Sequence, residues 1–377
     1  MADDALPEAD RIEGVAHPRE TLHLLGQATA EAAFLDAYRR GKLHHAWLIT
    51  GPLGVGKATL AWRIARFLLS QPADPGGMFA ADPPDSLDTP ADHPVTRRMM
   101  ALAEPGLFLL RRAWDDKKKV LKTVITVDEA RKLKDFFALS APGGGQRVVI
   151  VDSADEMNTN AANAILKLLE EPPARCTLLL VSHAPSRLLP TIRSRCRTLR
   201  CAPLAPPDLA TALAHSGEPI ETPEALGELA AGSVGEALRL LHLDGLKLYS
   251  TLARLVGGAP DMDRPALLAL AGTMTGRAAA ERLDLTLRLL DTLLARLART
   301  GAGLPPAIDI LRGERDMLHR LAPNPDAART WADLQQSLSA RSAHARAVNL
   351  DPSALILDMG LTINQTAARI LRRTEAP

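Results

Sequence analysis

Apolar residues follow two different patterns along this 377-residue chain, and the pattern changes near residue 203. Before that point, short apolar runs alternate with segments whose apolar residues recur at the spacing of an amphipathic helix. The runs are Ala46–Thr50, Leu107–Leu110, Arg147–Asp152, Thr177–Ser182 and Thr198–Cys201. Strands that alternate with helices predict an α/β fold in which helices wrap a parallel sheet.

From Pro203 onwards the pattern predicts an all-α region, because no further run of strand type follows. Residues 206–243 are interpreted as a small helical unit with breaks at Gly217, Gly227 and Gly232. Longer helices are predicted over residues 246–298, with a packing seam formed by Leu283, Leu287, Leu290, Leu294 and Leu297. Asp351 and Pro352 are typical of a helix start, and this last helix is predicted to end near Arg372.

The stretch between the first strand and the next helix carries the strongest chemical signal. Gly51-Pro-Leu-Gly-Val-Gly-Lys57 has the spacing and the strand–helix context of a phosphate-binding loop. Glycines let successive N–H groups face inward, the helix directs its positive end to the same point, and Lys57 adds a cation. The candidate nucleotide-binding residues of the loop are Gly51, Gly54, Val55, Gly56, Lys57, Ala58 and Thr59.

Metal binding at this loop is predicted to be poor. A Ser or Thr hydroxyl after the lysine normally ligates Mg²⁺, and Ala58 occupies that position. Thr59 lies about 100° further round the helix and does not substitute for it. Asp152 ends a buried strand and is the candidate to hold Mg²⁺ through water, the alternative being a cap for the segment that follows.

Composition and charge limit which partners and which cellular location can be expected for this chain. The formal net charge of +1 provides no global attraction to nucleic acid, so any such contact is expected to be local. Three cysteines without metal-type spacing favour a reduced, intracellular environment. The acidic N-terminus lacks the apolar core of a signal peptide, and no run approaches the ~20 apolar residues of a membrane span. We therefore expect a cytoplasmic protein without a membrane partner.

Three stretches resemble one protein family. HHAWLITGPLGVGKATLA from His44, VVIVDSADEMNTNAANAILKLLEEPP from Val148 and LPTIRSRC up to Cys196 are similar to the delta-prime subunits of bacterial DNA polymerase III clamp loaders, which are AAA+ proteins. The resemblance covers nearly the whole chain. It implies an AAA+ nucleotide-binding-like domain over residues 1–203, a small helical lid over 204–245 and a helical collar for oligomerisation over 246–377.

Departures from the family's motor subunits indicate which subunit this chain resembles. The resemblance places a catalytic glutamate after the strand-ending aspartate, where this chain has Ser153. The loop hydroxyl is replaced by Ala58, and the arginine of the lid is replaced by glycine in Gly232-Ser-Val-Gly235. With three catalytic positions changed together, we expect no ATP hydrolysis by this chain. Binding of ATP or ADP is expected to be weak, with Mg²⁺ present only alongside nucleotide.

Ser194-Arg195-Cys196 resembles the motif that supplies an arginine finger to a neighbouring subunit's ATP. A planar guanidinium contacts two phosphate oxygens and stabilises the charge that develops in phosphoryl transfer. Arg195 is thus the candidate catalytic residue, acting in trans, and the alternative is a structural surface arginine. Cys196 is expected to pack rather than react. Many family members bind zinc through four cysteines after the loop helix, but residues 70–110 contain none, so no zinc is expected.

The resemblance implies a stator in a five-subunit ring with tau/gamma motor subunits and delta, which loads the sliding clamp onto primed DNA in the bacterial replisome near the nucleoid. Two other functions are considered. One is an ATP-hydrolysing AAA+ motor subunit, against which Ser153 argues. The other is a nucleotide kinase or another phosphotransferase, which needs a hydroxyl after Lys57 and an acceptor site.

Overall fold

A five-stranded parallel sheet forms the centre of the N-terminal region, as the apolar runs predict. The computed structural model describes residues 7–11, 15–72, 84–138, 145–215, 220, 222–274, 279–348 and 350–375. The strand order is β2-β5-β6-β1-β7, and all neighbouring pairs run parallel. These strands are β1 (Ala46–Thr50), β2 (Leu107–Arg111), β5 (Arg147–Asp152), β6 (Cys176–Ser182) and β7 (Arg197–Arg200).

Helices cover the sheet and bury its three central strands, so these strands are continuous apolar runs rather than alternating ones. The helices of this region are α1 (Ala28–Arg39), α2 (Lys57–Ser70), α3 (Pro94–Met100), α4 (Val127–Ala138), α5 (Thr159–Glu170) and α6 (Pro190–Arg193). Leu48 and Val149 of the sheet share one buried cluster with Leu133 of α4, Ile165 of α5 and Ile192 of α6. This cluster fixes α6, which precedes Arg195.

Some elements differ from the sequence-based expectation. A two-stranded antiparallel hairpin, β3 (Trp114–Asp115) with β4 (Val120–Leu121), was not predicted, and its turn contains residues 117–119. Helix α3 was also not predicted, because it follows a stretch rich in proline and glycine, of which residues 73–83 lie outside the described part. Gly227 does not break a helix, since it lies inside α8 (Pro223–Ala230), and Gly217 lies outside the described residues.

The C-terminal region is helical throughout its described part. The helices are α7 (Pro206–His215), α8 (Pro223–Ala230), α9 (Val234–His242), α10 (Gly245–Gly257), α11 (Arg264–Gly272), α12 (Ala279–Gly301), α13 (Glu314–Leu321), α14 (Pro325–Ala347) and α15 (Pro352–Glu375). The predicted seam on α12 is confirmed, with its last four leucines buried and α14 packed alongside. Asp351 accepts the N–H of Ala354 at 3.1 Å, which confirms the helix start.

A buried ionic cluster lies inside this helical region. Arg296 of α12 donates to both carboxylate oxygens of Glu314, each at 3.1 Å, and to Glu228 of α8 at 2.7 Å. Tyr249 of α10 donates to Glu314 as well, so three helices meet at this carboxylate and α8 joins them through Arg296. Paired in this way, the buried charges satisfy one another, and the loss of any one partner leaves another uncompensated.

Contacts between residues divide the chain into two compact units, Met1–Pro219 with Gly232–Glu236 and Ile220–Ala231 with Ala237–Pro377. The first unit contains the sheet, and the second contains the long helices. The division into three domains at residues 203 and 245 stays a prediction. Within the described residues, no helix combines the length and the apolar character needed to cross a membrane.

Candidate functional site

The glycine loop, defined as Gly51–Lys57, connects the carboxyl end of β1 to the first turn of α2. Gly51 has a φ of +148°, and a Cβ at this position would lie 2.4 Å from the carbonyl oxygen of Cys201. Gly56 precedes α2 with a φ of +99°. Both positions therefore require glycine. The loop places the N-terminus of α2 at the edge of the sheet where ligands bind in α/β folds.

The side chain of Lys57 is held by its own loop. Its Nζ donates to the carbonyl oxygen of Gly51 at 2.8 Å and also to that of Pro52. The residue is only 2% exposed, and this burial lowers the pKa of Lys57 to about 8. The ammonium group that would reach for the outer phosphates is therefore enclosed and already bonded.

A second segment, residues 232–236, lies directly against the glycine loop. Ser233 Oγ donates to the carbonyl oxygen of Leu53 at 2.8 Å, and Gly235 N–H donates to that of Gly54 at 3.0 Å. A Cβ at Gly54 would lie 2.4 Å from Ser233 Oγ. The place where motor subunits are expected to carry an arginine is thus occupied by backbone and a serine that bind the loop itself.

Asp152 is buried at the carboxyl end of β5, as its strand-end position predicts. Burial, reinforced by the negative charge of Asp10, raises the pKa of Asp152 to about 7, even though Ser153 Oγ donates to its Oδ1 at 3.1 Å. Burial therefore favours the neutral form of this carboxyl group in the absence of a nearby cation.

Ser153 occupies the position of the missing glutamate and is paired with His183, which follows β6. Ser153 Oγ lies 2.8 Å from His183 Nε2. The tautomer of the imidazole decides which of the two groups donates in this bond. Burial and the nearby charge of Lys57 lower the pKa of His183 to about 4, so the ring is neutral at pH 7. The position that would polarise an attacking water therefore holds a neutral hydroxyl–imidazole pair.

This edge fits a phosphate group better than a metal–nucleotide complex. The N-terminus of α2 and Lys57 favour an anion. Ala58 has no side-chain oxygen to offer a metal. Across the described ranges, no group of three or more His, Cys, Asp or Glu side chains is arranged to hold a metal ion. The expectations of weak nucleotide binding and of no zinc stay predictions.

Arg195 lies at the other edge of the same sheet. It follows α6 and comes two residues before β7, so it lies at the amino edge. In the register of the parallel pair β1–β7, Trp47 is opposite Arg197 and Thr50 is opposite Arg200. At about 3.3 Å per residue, the strands alone separate the two edges by about 10 Å. The glycine loop begins beyond Thr50, so Arg195 faces away from the loop of its own chain.

The guanidinium of Arg195 is accessible and loosely held. The side chain is 37% exposed. Its Nη2 lies 2.9 Å from Glu170 Oε1 at the end of α5, and its Nη1 donates to the carbonyl oxygen of Thr191 at 3.1 Å. Beneath it, Ile192 is fully buried, and Cys196 packs against the same cluster with its pKa raised to about 12 by burial. A packing role for Cys196 is thereby confirmed.

Comparison with known proteins gives a consistent result. The profile of the family described as "DNA polymerase III, delta subunit" matches residues 26–205. The DNA polymerase III subunit delta' of Pseudomonas aeruginosa is 39% identical over 58% of this chain and 61% of that protein. The subunit delta' of Escherichia coli is 31% identical over 76% of this chain and 80% of that protein. A solved gamma-subunit-related protein of DNA polymerase III from Thermotoga maritima aligns over 89% of this chain and 99% of its own, at TM-score 0.42 and 16% identity.

A parallel sheet with the glycine loop after β1 and flanking helices define the class of phosphate-loop α/β proteins. Within that class, the identity and coverage of the Escherichia coli relative decide the family. The chain belongs to the delta-prime family of DNA polymerase III clamp-loader subunits.

Sequence reasoning missed three side chains that the structure brings into these sites: His183, Ser233 and Glu170. His183 could have been found, because it follows a buried strand at the same edge as Asp152. Ser233 contacts a residue 180 positions away, and no local pattern indicates such a contact. Glu170 was visible as part of the acidic Glu-Glu-Pro-Pro sequence, but its pairing with Arg195 depends on the docking of α6 beside α5.

Proposed function

We propose that this chain is the stator of a DNA polymerase III clamp loader, and that it donates Arg195 in trans to ATP held by an adjacent motor subunit. In this proposal it joins tau/gamma and delta subunits in a five-membered ring that loads the sliding clamp onto primed DNA. It does not hydrolyse ATP itself. The helical C-terminal region serves as the collar that holds the ring together.

One observation carries the proposal: Arg195 is exposed at the edge of the sheet opposite the glycine loop of its own chain. An arginine placed there cannot stabilise phosphate charge in its own loop. Its anchor, the buried Ile192, keeps the short segment before β7 in a defined place on the surface. Such a placement suits recognition of a phosphate presented by a neighbouring subunit.

The state of the glycine loop supports the non-hydrolysing part of the proposal. Lys57 is bonded within the loop, and Ser153 and His183 form a neutral pair where a carboxylate is needed. Any nucleotide at this loop would be bound weakly and held by Lys57 and the N-terminus of α2. An ATP-hydrolysing motor subunit would need a carboxylate near residue 153 and a ligand for Mg²⁺ at residue 58.

The test is ATP hydrolysis by the reconstituted clamp loader containing either the wild-type chain or Arg195→Ala. Removal of an arginine finger lowers the rate by about 10³–10⁵-fold at the site that it serves. Other sites in the ring keep their own fingers, so the expected result is loss of a large part of the DNA- and clamp-stimulated rate with assembly intact. The isolated chain is expected to show no turnover.

Arg193→Ala is the matched control, because Arg193 is an exposed arginine at the end of α6, two residues before Arg195. It should leave the stimulated rate unchanged. Turnover by the isolated chain, together with no effect of Arg195→Ala in the complex, would contradict the proposal and favour the motor subunit.

A further inference from the structure

Glu170 binds the guanidinium on which the proposed function depends. The Glu170 side chain is 51% exposed, and its Oε1 lies 2.9 Å from Arg195 Nη2. Glu170 is the last residue of α5, and the core of that helix shares a cluster with Ile192. Both ends of the ion pair are therefore attached to fixed backbone, while both charged groups remain open to solvent.

This ion pair changes the charge that Arg195 presents to a neighbour. A guanidinium next to a carboxylate is close to neutral as a pair, and the carboxylate repels an incoming phosphate. An exposed ion pair is weak and easily exchanged, because water competes with both partners. A triphosphate on the adjacent subunit carries more negative charge than one carboxylate, so it can replace Glu170 as the partner of Arg195.

We propose that Glu170 is a positioning residue that holds Arg195 in a charge-masked state and releases it to the phosphates of a neighbouring subunit's nucleotide. The inference rests on the proposed function, since it concerns the same arginine. In this inference, the carboxylate of Glu170 competes with the phosphates of the nucleotide for Arg195. Engagement of Arg195 therefore depends on the nucleotide. The step is an exchange of ion-pair partners, and no covalent bond changes.

Two substitutions test whether Glu170 masks the charge of Arg195 or only orients its side chain. Glu170→Gln keeps an oxygen acceptor for Arg195 and removes the charge, whereas Glu170→Ala removes both. In the reconstituted complex, masking predicts that Glu170→Gln lowers the KM for ATP by about two- to fivefold, the range of an exposed ion pair. The kcat with DNA and clamp present should stay within about twofold, because the fully engaged arginine no longer contacts Glu170.

Glu171→Gln is the matched control, since it removes the same charge from the adjacent exposed residue and should leave KM unchanged. The double variant Glu170→Gln with Arg195→Ala should behave like Arg195→Ala alone, because Glu170 acts through Arg195. A circular dichroism melt of each isolated chain checks that the variants are folded.

The possible outcomes are distinct. If Arg195→Ala lowers the rate but Glu170→Gln matches wild type in KM, the inference fails and the proposed function stands. If Glu170→Ala lowers kcat while Glu170→Gln restores it, Glu170 orients the arginine without masking it, which also overturns the inference. If Arg195→Ala has no effect, the proposed function fails, and the inference fails with it.

Discussion

The two edges of one sheet differ in how their polar groups are satisfied. At the carboxyl edge, Lys57 and Asp152 are buried. Lys57 is bonded to Gly51, and Ser153 is bonded to His183, so both polar groups have partners within the same chain. At the amino edge, Arg195 and Glu170 are accessible, and Arg195 is bonded to Glu170 and to the carbonyl oxygen of Thr191. The proposed function accounts for this difference, because an arginine that engages a neighbouring subunit has to remain accessible.

Because of this difference, we expect the polar groups of the carboxyl edge to affect stability and those of the amino edge to affect recognition. Buried ionisable groups shift in pKa and affect stability, because they lose hydration that their partners only partly replace. Exposed ion pairs contribute little to stability, so they are free to serve recognition. The carboxyl edge should therefore respond to mutation and pH mainly in folding, and the amino edge mainly in activity of the complex.

The largest expected effect is that of a substitution in the core below Arg195, because it should change both the stability of the chain and the activity of the complex. Ile192→Ala removes a fully buried side chain that packs against α5. Loss of such a side chain destabilises a protein by about 2–5 kcal/mol. Urea unfolding of the isolated chain measures this loss, and the stimulated ATPase of the complex should also fall because the segment bearing Arg195 is no longer anchored.

Ile192→Val is the graded control for this change, with an expected cost of about 0.5–1.5 kcal/mol. A fall in ATPase without a change in unfolding free energy would show that Ile192 acts on recognition rather than through packing.

A smaller effect is expected from Asp152→Asn, and its sign depends on pH. Burial raises the pKa of Asp152 from 3.8 to about 7, so the fold favours the protonated form. Well below pH 3.8 the group is neutral in both states and costs nothing, whereas above pH 7 the folded state carries an unfavourable buried charge. Asp152→Asn should therefore increase the unfolding free energy at pH 8, on the order of 4 kcal/mol, and change it by less than about 1 kcal/mol near pH 4.

Asp155→Asn provides a comparison of opposite sign. Asp155 Oδ1 accepts the backbone N–H of His183 at 2.9 Å. Although burial opposes ionisation, its hydrogen bonds lower the pKa of Asp155, so its ionised form supports the fold above its ordinary pKa. Its replacement should lower the unfolding free energy at pH 8. Urea titrations of both variants at the two pH values measure the contrast, and equal shifts for both would contradict it.

The smallest expected effect is that of Arg195→Ala on the stability of the isolated chain. Because the side chain is exposed and its ion pair is of surface type, the unfolding free energy should change by no more than about 1 kcal/mol. Urea unfolding under the conditions used for Ile192→Ala gives a direct comparison. A loss above about 2 kcal/mol would mean that Arg195 supports the fold and is not reserved for a partner.

Most of the sheet could be predicted from the sequence, because buried parallel strands are continuous apolar runs with identifiable ends. Ala46–Thr50 and Arg147–Asp152 have the predicted bounds, and the glycine loop follows from its spacing. The sequence does not reveal that Lys57 turns back to Gly51 and Pro52, or that Ser233 binds Leu53. These contacts depend on tertiary positions of single atoms, which periodicity does not encode.

The place of β1 in the sheet has a consequence for biosynthesis. Its two partners come late, since Ala46 pairs with Leu178 and Trp47 with Arg197, 132 and 150 residues further along the chain. At about 5–20 residues per second, a ribosome needs roughly 7–30 s to supply them. During that interval the strand that leads to the glycine loop has no neighbour, and its apolar surface is available to a chaperone.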